Sequence, residues 1–361
     1  MRTLLALAIL AFVPLTALCQ PPAPLSPPDA KAAFLKLLDR PKVPLDVQSQ
    51  PVRSESNGAL VSERLSFASE KKAGGTVERV PVLVVRPPYE PGVPGRRPCV
   101  IVLHGTGGNK EGVRSWLDEF ARKGFVTVAI DARYHGDRVP GVKGSTAYSA
   151  AITKAWRTPS GQPHEHPFFY DTCWDLWRLV DYLRTRADVN PDRIGMIGIS
   201  MGGIQTWLAA SVDDRVRVAC PLIAVQSFRW SLENEKWQGR ARTIMTAHVE
   251  AAKDLGEPGV NTKVCRELWS KVIPGITGDF DCPNLLPLFV DRPLFIANGE
   301  LDPNCPIEGA RIAIRAAEAA YDRAKSRGKL EVHIANGVAH KVTDEQRVAC
   351  VAFCEKWLTK K

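Results

Sequence analysis

A serine flanked by glycines is the first feature of this sequence that could do chemistry. Residues 198–202 read GISMG, a GxSxG pattern that follows the apolar run Ile194–Ile199 and precedes the helical stretch Met201–Ser211. A sharp strand-to-helix turn around Ser200 needs neighbours without side chains at both two-residue offsets. Such a turn lifts the hydroxyl clear of the strand and places it at a helix N-terminus, where amides favour negative charge. The pattern predicts that Ser200 is a nucleophile; an ordinary tight turn is the alternative.

A second glycine-rich turn lies upstream of this serine. Residues 104–108 read HGTGG and follow the apolar run CVIVL. A turn of this kind can aim backbone N–H groups into the space above a sheet, so we predict that the amides of Thr106 and Met201 form an oxyanion hole. The turn lacks the glycine spacing of phosphate-binding loops. His104 is predicted to brace the loop and not to react.

A general base must accept the serine proton, and neutral imidazole suits that task near pH 7. His340 follows the last predicted strand and precedes the C-terminal helix, so it should reach the same sheet edge as Ser200. A surface loop histidine is the alternative. The other histidines lack this placement or belong to earlier loops: His104, His135, His164, His166, His248 and His333.

A carboxylate must hold the imidazole and stabilise its protonated form. Asp302 lies just past the apolar run PLFIAN and should reach the same edge from the neighbouring strand. Glu300 is the competing carboxylate, and Asp131 would serve only by an unusual route. We predict Ser200, His340 and Asp302 as the catalytic set.

Apolar strands and helical stretches alternate regularly after residue 98. The predicted strands are Cys99–Leu103, Val126–Ile130, Ile194–Ile199, Val216–Val225, Leu294–Ala297 and Leu330–Ile334. The predicted helices are Arg114–Lys123, Tyr170–Arg186, Met201–Ser211, Ile307–Ser326 and Thr343–Leu358. Strands that are apolar on both faces predict an α/β fold with a doubly wound, mostly parallel sheet. Period-two alternation over residues 60–88 predicts antiparallel strands at one edge.

One interval interrupts this alternation. Residues 226–291 separate two predicted strands by far more than one crossover helix requires, with helical runs near 240–255 and 262–272. Long insertions of this kind are uncommon without a function. We predict a helical cap over the substrate pocket, with a structural excursion as the alternative.

The N-terminal residues predict export. Residues 1–19 combine Arg2, a short apolar run and a small-residue exit, which is typical of a signal peptide. An uncleaved membrane anchor is the alternative, but the run is shorter than a spanning helix, which needs about 20 residues. A lipoprotein acylated at Cys19 is disfavoured by bulky Leu18. Residues 20–28 predict a proline-rich linker, and residues 29–361 the hydrolytic domain, starting with a helix near 29–38.

Charge and cysteine content indicate which ligands and cross-links to expect. Removing residues 1–19 lowers the formal net charge from +9 to +8, and the basic residues are scattered, so nucleic-acid binding and stable membrane insertion are not predicted. Eight of the nine cysteines then remain, an even number that permits disulfides without assigning pairs. No Cys/His cluster has zinc-site spacing, so we predict no metal and no cofactor.

The order Ser200, Asp302, His340, with HGTGG upstream, resembles the α/β-hydrolase superfamily over residues 75–360. Within it, HGTGGNKEG and ARKGFVTVAIDARYHGDR are similar to exported dienelactone-hydrolase-like and acetyl-xylan-esterase-like proteins and to the catalytic domain of prolyl oligopeptidases. In that comparison, residues 131–136 match a loop that is usually structural. The serine at the turn departs from the cysteine of dienelactone hydrolases, so the resemblance does not carry lactone specificity over.

These features predict a secreted or periplasmic serine hydrolase that cleaves small-molecule or carbohydrate esters through an acyl-enzyme. A serine peptidase with the same catalytic set is one rival, and a non-catalytic binding protein of the same fold is another. Prolyl-oligopeptidase relatives carry a large domain before the hydrolase domain, whereas only about fifty residues precede the first predicted strands after cleavage, which favours the esterase. Oligomeric state and acyl and alcohol specificity are not predicted.

Overall fold

A computed structural model describes residues 25–55, 58–72, 74–89 and 95–359. The predicted signal peptide and residues 20–24 of the predicted linker lie outside these residues. The first helix begins at Pro27, two residues before the predicted helix start at residue 29, because Ser26 caps it and proline is tolerated in a first helical turn.

The described strands form one sheet of ten, in the order β1-β3-β4-β6-β5-β7-β8-β9-β10, with β2 also paired to β3. Their bounds are β1 Gln48–Ser49, β2 Arg53–Glu55, β3 Leu60–Lys71, β4 Val77–Arg86, β5 Arg97–Leu103, β6 Val126–Ile130, β7 Val189–Ile199, β8 Val216–Leu222, β9 Leu294–Gly299 and β10 Leu330–Ala335. From β6 to β10 along this order every neighbouring pair is parallel, whereas β1 to β4 pair antiparallel. The mostly parallel sheet with an antiparallel edge is as predicted.

Helices cover both faces of the sheet. Their bounds are α1 Pro27–Leu37, α2 Arg114–Arg122, α3 Thr146–Arg157, α4 Tyr170–Thr185, α5 Met201–Val212, α6 Phe228–Glu233, α7 Gln238–Arg242, α8 Met245–Asp254, α9 Thr262–Val272, α10 Cys282–Leu285, α11 Ile307–Arg323 and α12 Asp344–Leu358. Alternate residues of β5 enter two separate cores: Ile101 packs with the α4 and α5 side, and Val102 with the α2 and α12 side. Two buried faces explain why these strands are continuously apolar.

Two predicted boundaries are wrong near the insertion. The strand predicted over Val216–Val225 ends at Leu222, because Ile223 turns the chain with φ 47° while the following residues stay buried. The helical run near 240–255 is two helices, α7 and α8, broken at Thr243 and Ile244. The helix α3 and the short strands β1 and β2 were not predicted.

The described segment 226–291 holds five α-helices, α6 to α10, between β8 and β9. It packs on α3: Arg157 forms ion pairs with Glu250 and Asp254 on α8. Inside it, Trp269 Nε1 donates to His248 Nε2 at 3.0 Å, and both side chains are buried. Burial lowers the pKa of His248 to about 4, so this histidine is a neutral core residue. Among the described residues, every helix is too short or too polar to cross a bilayer.

Candidate active site

Ser200 lies on a strained turn between β7 and α5. Its φ is 57° and ψ is −113°, outside the regions that side chains normally allow, and its amide donates to Leu222 O at 2.9 Å. A Cβ on Gly198 would lie 2.0 Å from Gly202 O, and one on Gly202 would lie 2.5 Å from Leu103 O. The glycines of the pattern are therefore needed for close backbone approach.

The three residues of the predicted catalytic set lie together. His340 Nε2 is 2.7 Å from Ser200 Oγ, and His340 Nδ1 is 2.7 Å from Asp302 Oδ2. Asp302 is buried, and its Oδ1 accepts from the amides of Asn304 at 2.8 Å and Cys305 at 3.2 Å. With Nδ1 donating to the carboxylate, Nε2 is the atom that can accept the serine proton.

Backbone contacts bring the His340 loop against the end of β9. A Cβ on Gly299 would lie 2.2 Å from Ala339 O, so only glycine permits this approach. The amide of Leu301 donates to Val338 O at 2.8 Å. Glu300, the competing carboxylate, accepts from the amide of Gly337 at 2.8 Å and so caps the turn before His340.

The HGTGG loop lies against the serine turn, since a Cβ on Gly105 would be 3.5 Å from Ser200 Cβ. The Gly107 amide donates to His135 Nε2 and the Gly108 amide to Gly105 O, both at 3.0 Å. The amide of Thr106 has no acceptor within the described part of the chain.

A family model described as the alpha/beta hydrolase fold matches residues 98–245. The matched segment and the sheet described above have the α/β-hydrolase fold.

Two solved structures share this fold over most of their length. The acetyl xylan esterase from Paenibacillus sp. R4 has a TM-score of 0.63 and 21% identity, with 92% of this chain and 93% of that chain covered. Acetyl xylan esterase 1 from Thermoanaerobacterium sp. JW/SL YS485 has a TM-score of 0.65 and 20% identity, with 93% and 95% covered. At these identities the likeness shows the fold.

The candidate hydrolase YtaP from Bacillus subtilis (strain 168) is 28% identical over 206 residues. The match spans 53% of this chain and 62% of YtaP, less than two thirds of that protein.

Two buried histidines hold the HGTGG loop in place. His104 Nδ1 donates to Gly105 O at 2.8 Å, and its Nε2 accepts from the amide of Ala132 at 3.2 Å. His135 Nδ1 donates to Arg133 O at 2.8 Å, while its Nε2 accepts from Gly107. Burial, and then the neighbouring His104, lowers the pKa of His135 to about 4. Both rings are thus neutral braces, which agrees with the bracing role predicted for His104 and with the structural loop that the resemblance implies for His135.

Asp131 serves the same loop and does not contact His340. Its carboxylate accepts from the Lys110 amide and ammonium, both at 2.8 Å, and from the Asp137 amide at 2.9 Å. Burial lowers the pKa of Lys110, but its bonds to Asp131 and Asp137 outweigh that effect and raise it. A Cβ on Gly136 would lie 2.3 Å from the Asp131 carboxylate. The segment Asp131–Asp137 is a support for the loop beside Ser200.

The remaining histidines contact other parts of the chain. His164 and His166 face the carbonyls of Lys271 and Val272, and His333 pairs with Glu331 at 2.7 Å. With His248 inside the insertion, His340 is the histidine that contacts Ser200.

Cysteines distant in sequence form a buried cluster that spacing arguments missed. The sulfur atoms of Cys220, Cys350 and Cys354 lie within 4.8 Å of one another, which is the separation a metal ion could bridge. All eight described cysteines are buried free thiols, so none of the disulfides that the sequence permits is formed. The cluster lies in the core on the α2 and α12 side, among Phe295, Phe353 and other apolar residues.

Proposed function

We propose that this chain is a serine esterase in which Ser200 is the nucleophile, His340 the general base and Asp302 the residue that orients the base. The observation that carries the proposal is the chain of two 2.7 Å hydrogen bonds from Ser200 through His340 to Asp302. The esterases among the solved neighbours support it at the level of fold.

The reaction follows from the positions of the atoms. Ser200 Oγ attacks the ester carbonyl carbon while His340 Nε2 takes the hydroxyl proton. The imidazolium then returns that proton to the alkoxide leaving group, which departs as the alcohol and leaves an acyl-serine. Water attacks the acyl carbon as His340 accepts its proton, and collapse of the second tetrahedral intermediate returns a proton to Ser200 and releases the acid.

The negative oxygen that develops in both steps needs donors beside Ser200. We assign that role to the Met201 amide, at the N-terminus of the twelve-residue helix α5, and to the Thr106 amide. Losing one such donor typically lowers kcat by about 100- to 1000-fold. The braces at His104, His135 and Asp131 keep the Thr106 turn in place.

Hydrolysis of p-nitrophenyl acetate by the purified protein, compared with Ser200→Ala, tests the proposal. We expect release of p-nitrophenol by the natural chain and loss of that activity in Ser200→Ala. Aminoacyl-anilide substrates separate the peptidase rival: faster anilide cleavage than ester cleavage would replace the esterase assignment. A chain that neither hydrolyses esters nor labels with a fluorophosphonate would support the binding-protein rival.

The substrate class proposed is a small-molecule or carbohydrate ester, with the segment 226–291 as the cap over it. Acetylated xylan offered beside p-nitrophenyl acetate tests the carbohydrate part, and acetate release from both would support it. We also propose export, directed by residues 1–19. N-terminal sequencing of the mature protein should begin near residue 20; an intact N-terminus would contradict cleavage.

A further inference from the structure

Arg240 on α7 is a charged side chain buried inside the insertion. Only 1% of its surface is exposed, and its guanidinium lies 5.8 Å from the centre of the Phe228 ring. The contacts of its guanidinium among the described residues are with neutral groups, and its Nη1 has no hydrogen-bond partner there. Buried charges are normally paired, so this arginine has an unusual environment.

The partners that Arg240 does have are neutral and belong to the segment that carries Asp302. Its Nη2 donates to Asn304 O at 3.1 Å and lies 3.6 Å from Cys305 Sγ. Both ends of the Gln226 side-chain amide find hydrogen-bond partners when its oxygen faces the Arg240 guanidinium. In that orientation the oxygen accepts from Nη2 at 3.0 Å and from Nε at 3.1 Å. In that orientation the Gln226 nitrogen donates to the same Asn304 O at 2.7 Å.

Asn304 connects Arg240 and Gln226 to Asp302. Its carbonyl is held by Arg240 and Gln226, and its amide donates to Asp302 Oδ1 at 2.8 Å. The backbone of α7 also touches this loop directly, since a Cβ on Gly239 would lie 2.0 Å from Pro303 O. Helix α7 of the insertion thus packs directly against the loop that contains Asp302.

Packing alone does not explain why an arginine occupies position 240. An apolar side chain of similar volume would fill the space without desolvating a charge. Such a side chain would, however, leave the oxygen of the buried Gln226 without the two N–H donors that Arg240 supplies, and Asn304 O would keep only its bond from Gln226.

We propose that Arg240 is a positioning residue for Asp302, which it holds through the Asn304 peptide so that the carboxylate faces His340 Nδ1. The inference rests on the proposed function and deepens it, because it gives the insertion a role in the reaction besides covering the substrate. Arg240 does not touch the reacting atoms.

The test compares Arg240→Met with Arg242→Met, whose side chain is exposed on the same helix. The first readout needs no turnover: the downfield ¹H NMR resonance of the proton between His340 Nδ1 and Asp302, assigned by its loss in Asp302→Asn. We expect Arg240→Met to lose or shift this resonance and Arg242→Met to keep it.

The second readout is steady-state hydrolysis of p-nitrophenyl acetate across pH. We expect Arg240→Met to lower kcat by about 10- to 100-fold with little change in KM, since displacing a catalytic group by about 1 Å has an effect of this size.

The outcomes separate this inference from the function it rests on. Activity retained in Ser200→Ala overturns the proposed function, whereas the NMR readout still tests Arg240. An unchanged resonance in a folded Arg240→Met, or a raised KM with an unchanged kcat, overturns the positioning role. If circular dichroism shows that Arg240→Met does not fold, the same two readouts are applied to Arg240→Lys and Gln226→Leu, and the same results in those variants overturn the positioning role.

Discussion

His135 supplies a stability prediction whose magnitude follows from its surroundings. The side chain is 1% exposed, and burial lowers its pKa from 6.5 to about 4. Between these values the unfolded chain binds a proton that the folded chain does not, so stability falls as pH falls. The contribution is fully present above pH 6.5 and is lost as pH falls towards 4. From pH 7 to pH 5 the loss amounts to about 2 kcal/mol.

The variant His135→Gln tests this linkage. Glutamine stays neutral, and its side-chain oxygen can still accept the Gly107 amide. Urea unfolding followed by tryptophan fluorescence at pH 7 and pH 5 gives the free energy of unfolding for both proteins. The natural chain should lose about 2 kcal/mol more than His135→Gln over that interval, because other titrating groups contribute equally to both.

The control is His333→Gln, at a side chain that is 34% exposed. It should follow the natural chain more closely than His135→Gln does. If His135→Gln shows the same pH dependence as the natural chain, His135 is not the neutral brace described above.

Three further predictions concern the catalytic loop, the serine turn and the thiols. Asp302→Asn should lower kcat by about 10,000-fold, because the asparagine oxygen takes the place of Oδ1 and its NH2 then faces His340 Nδ1, which favours the wrong imidazole tautomer. Glu300→Gln should retain activity, since its amide oxygen can still accept from Gly337; equal losses in esterase assays would contradict the assignment. Gly203→Ala should destabilise the fold, because its Cβ would lie 2.4 Å from Ala224 Cβ; an unchanged melting temperature would show that the turn relaxes. A thiol reagent should detect the eight buried cysteines in denaturant and few of them in the native protein; a lower count in denaturant would reveal disulfides.

Sequence patterns predicted the elements whose signals are local. The strand Val126–Ile130 and the helix Thr262–Val272 have the predicted bounds, because composition and capping residues act over a few positions. Ser200, His340 and Asp302 could be placed because each follows a strand end at the same edge of a parallel sheet. Their catalytic roles stay predictions until activity is measured.

Features that depend on partners distant in sequence were not predicted. The helix α3 packs against α8 and α9, and no local sequence signal near residues 146–157 predicts that contact. The role inferred for Arg240 depends on its contact with Asn304, which is 64 residues away in sequence. The thiols of Cys220 and Cys354 are 134 residues apart in sequence and 3.6 Å apart in space.

Covalent labelling of the serine is the sharpest test of Ser200 as the nucleophile. The natural chain, incubated with a fluorophosphonate and digested, should give one labelled peptide with the adduct on Ser200, and His340→Ala should label far more slowly. A natural chain that is folded by circular dichroism yet carries no adduct, or carries it on another residue, would contradict the proposed mechanism.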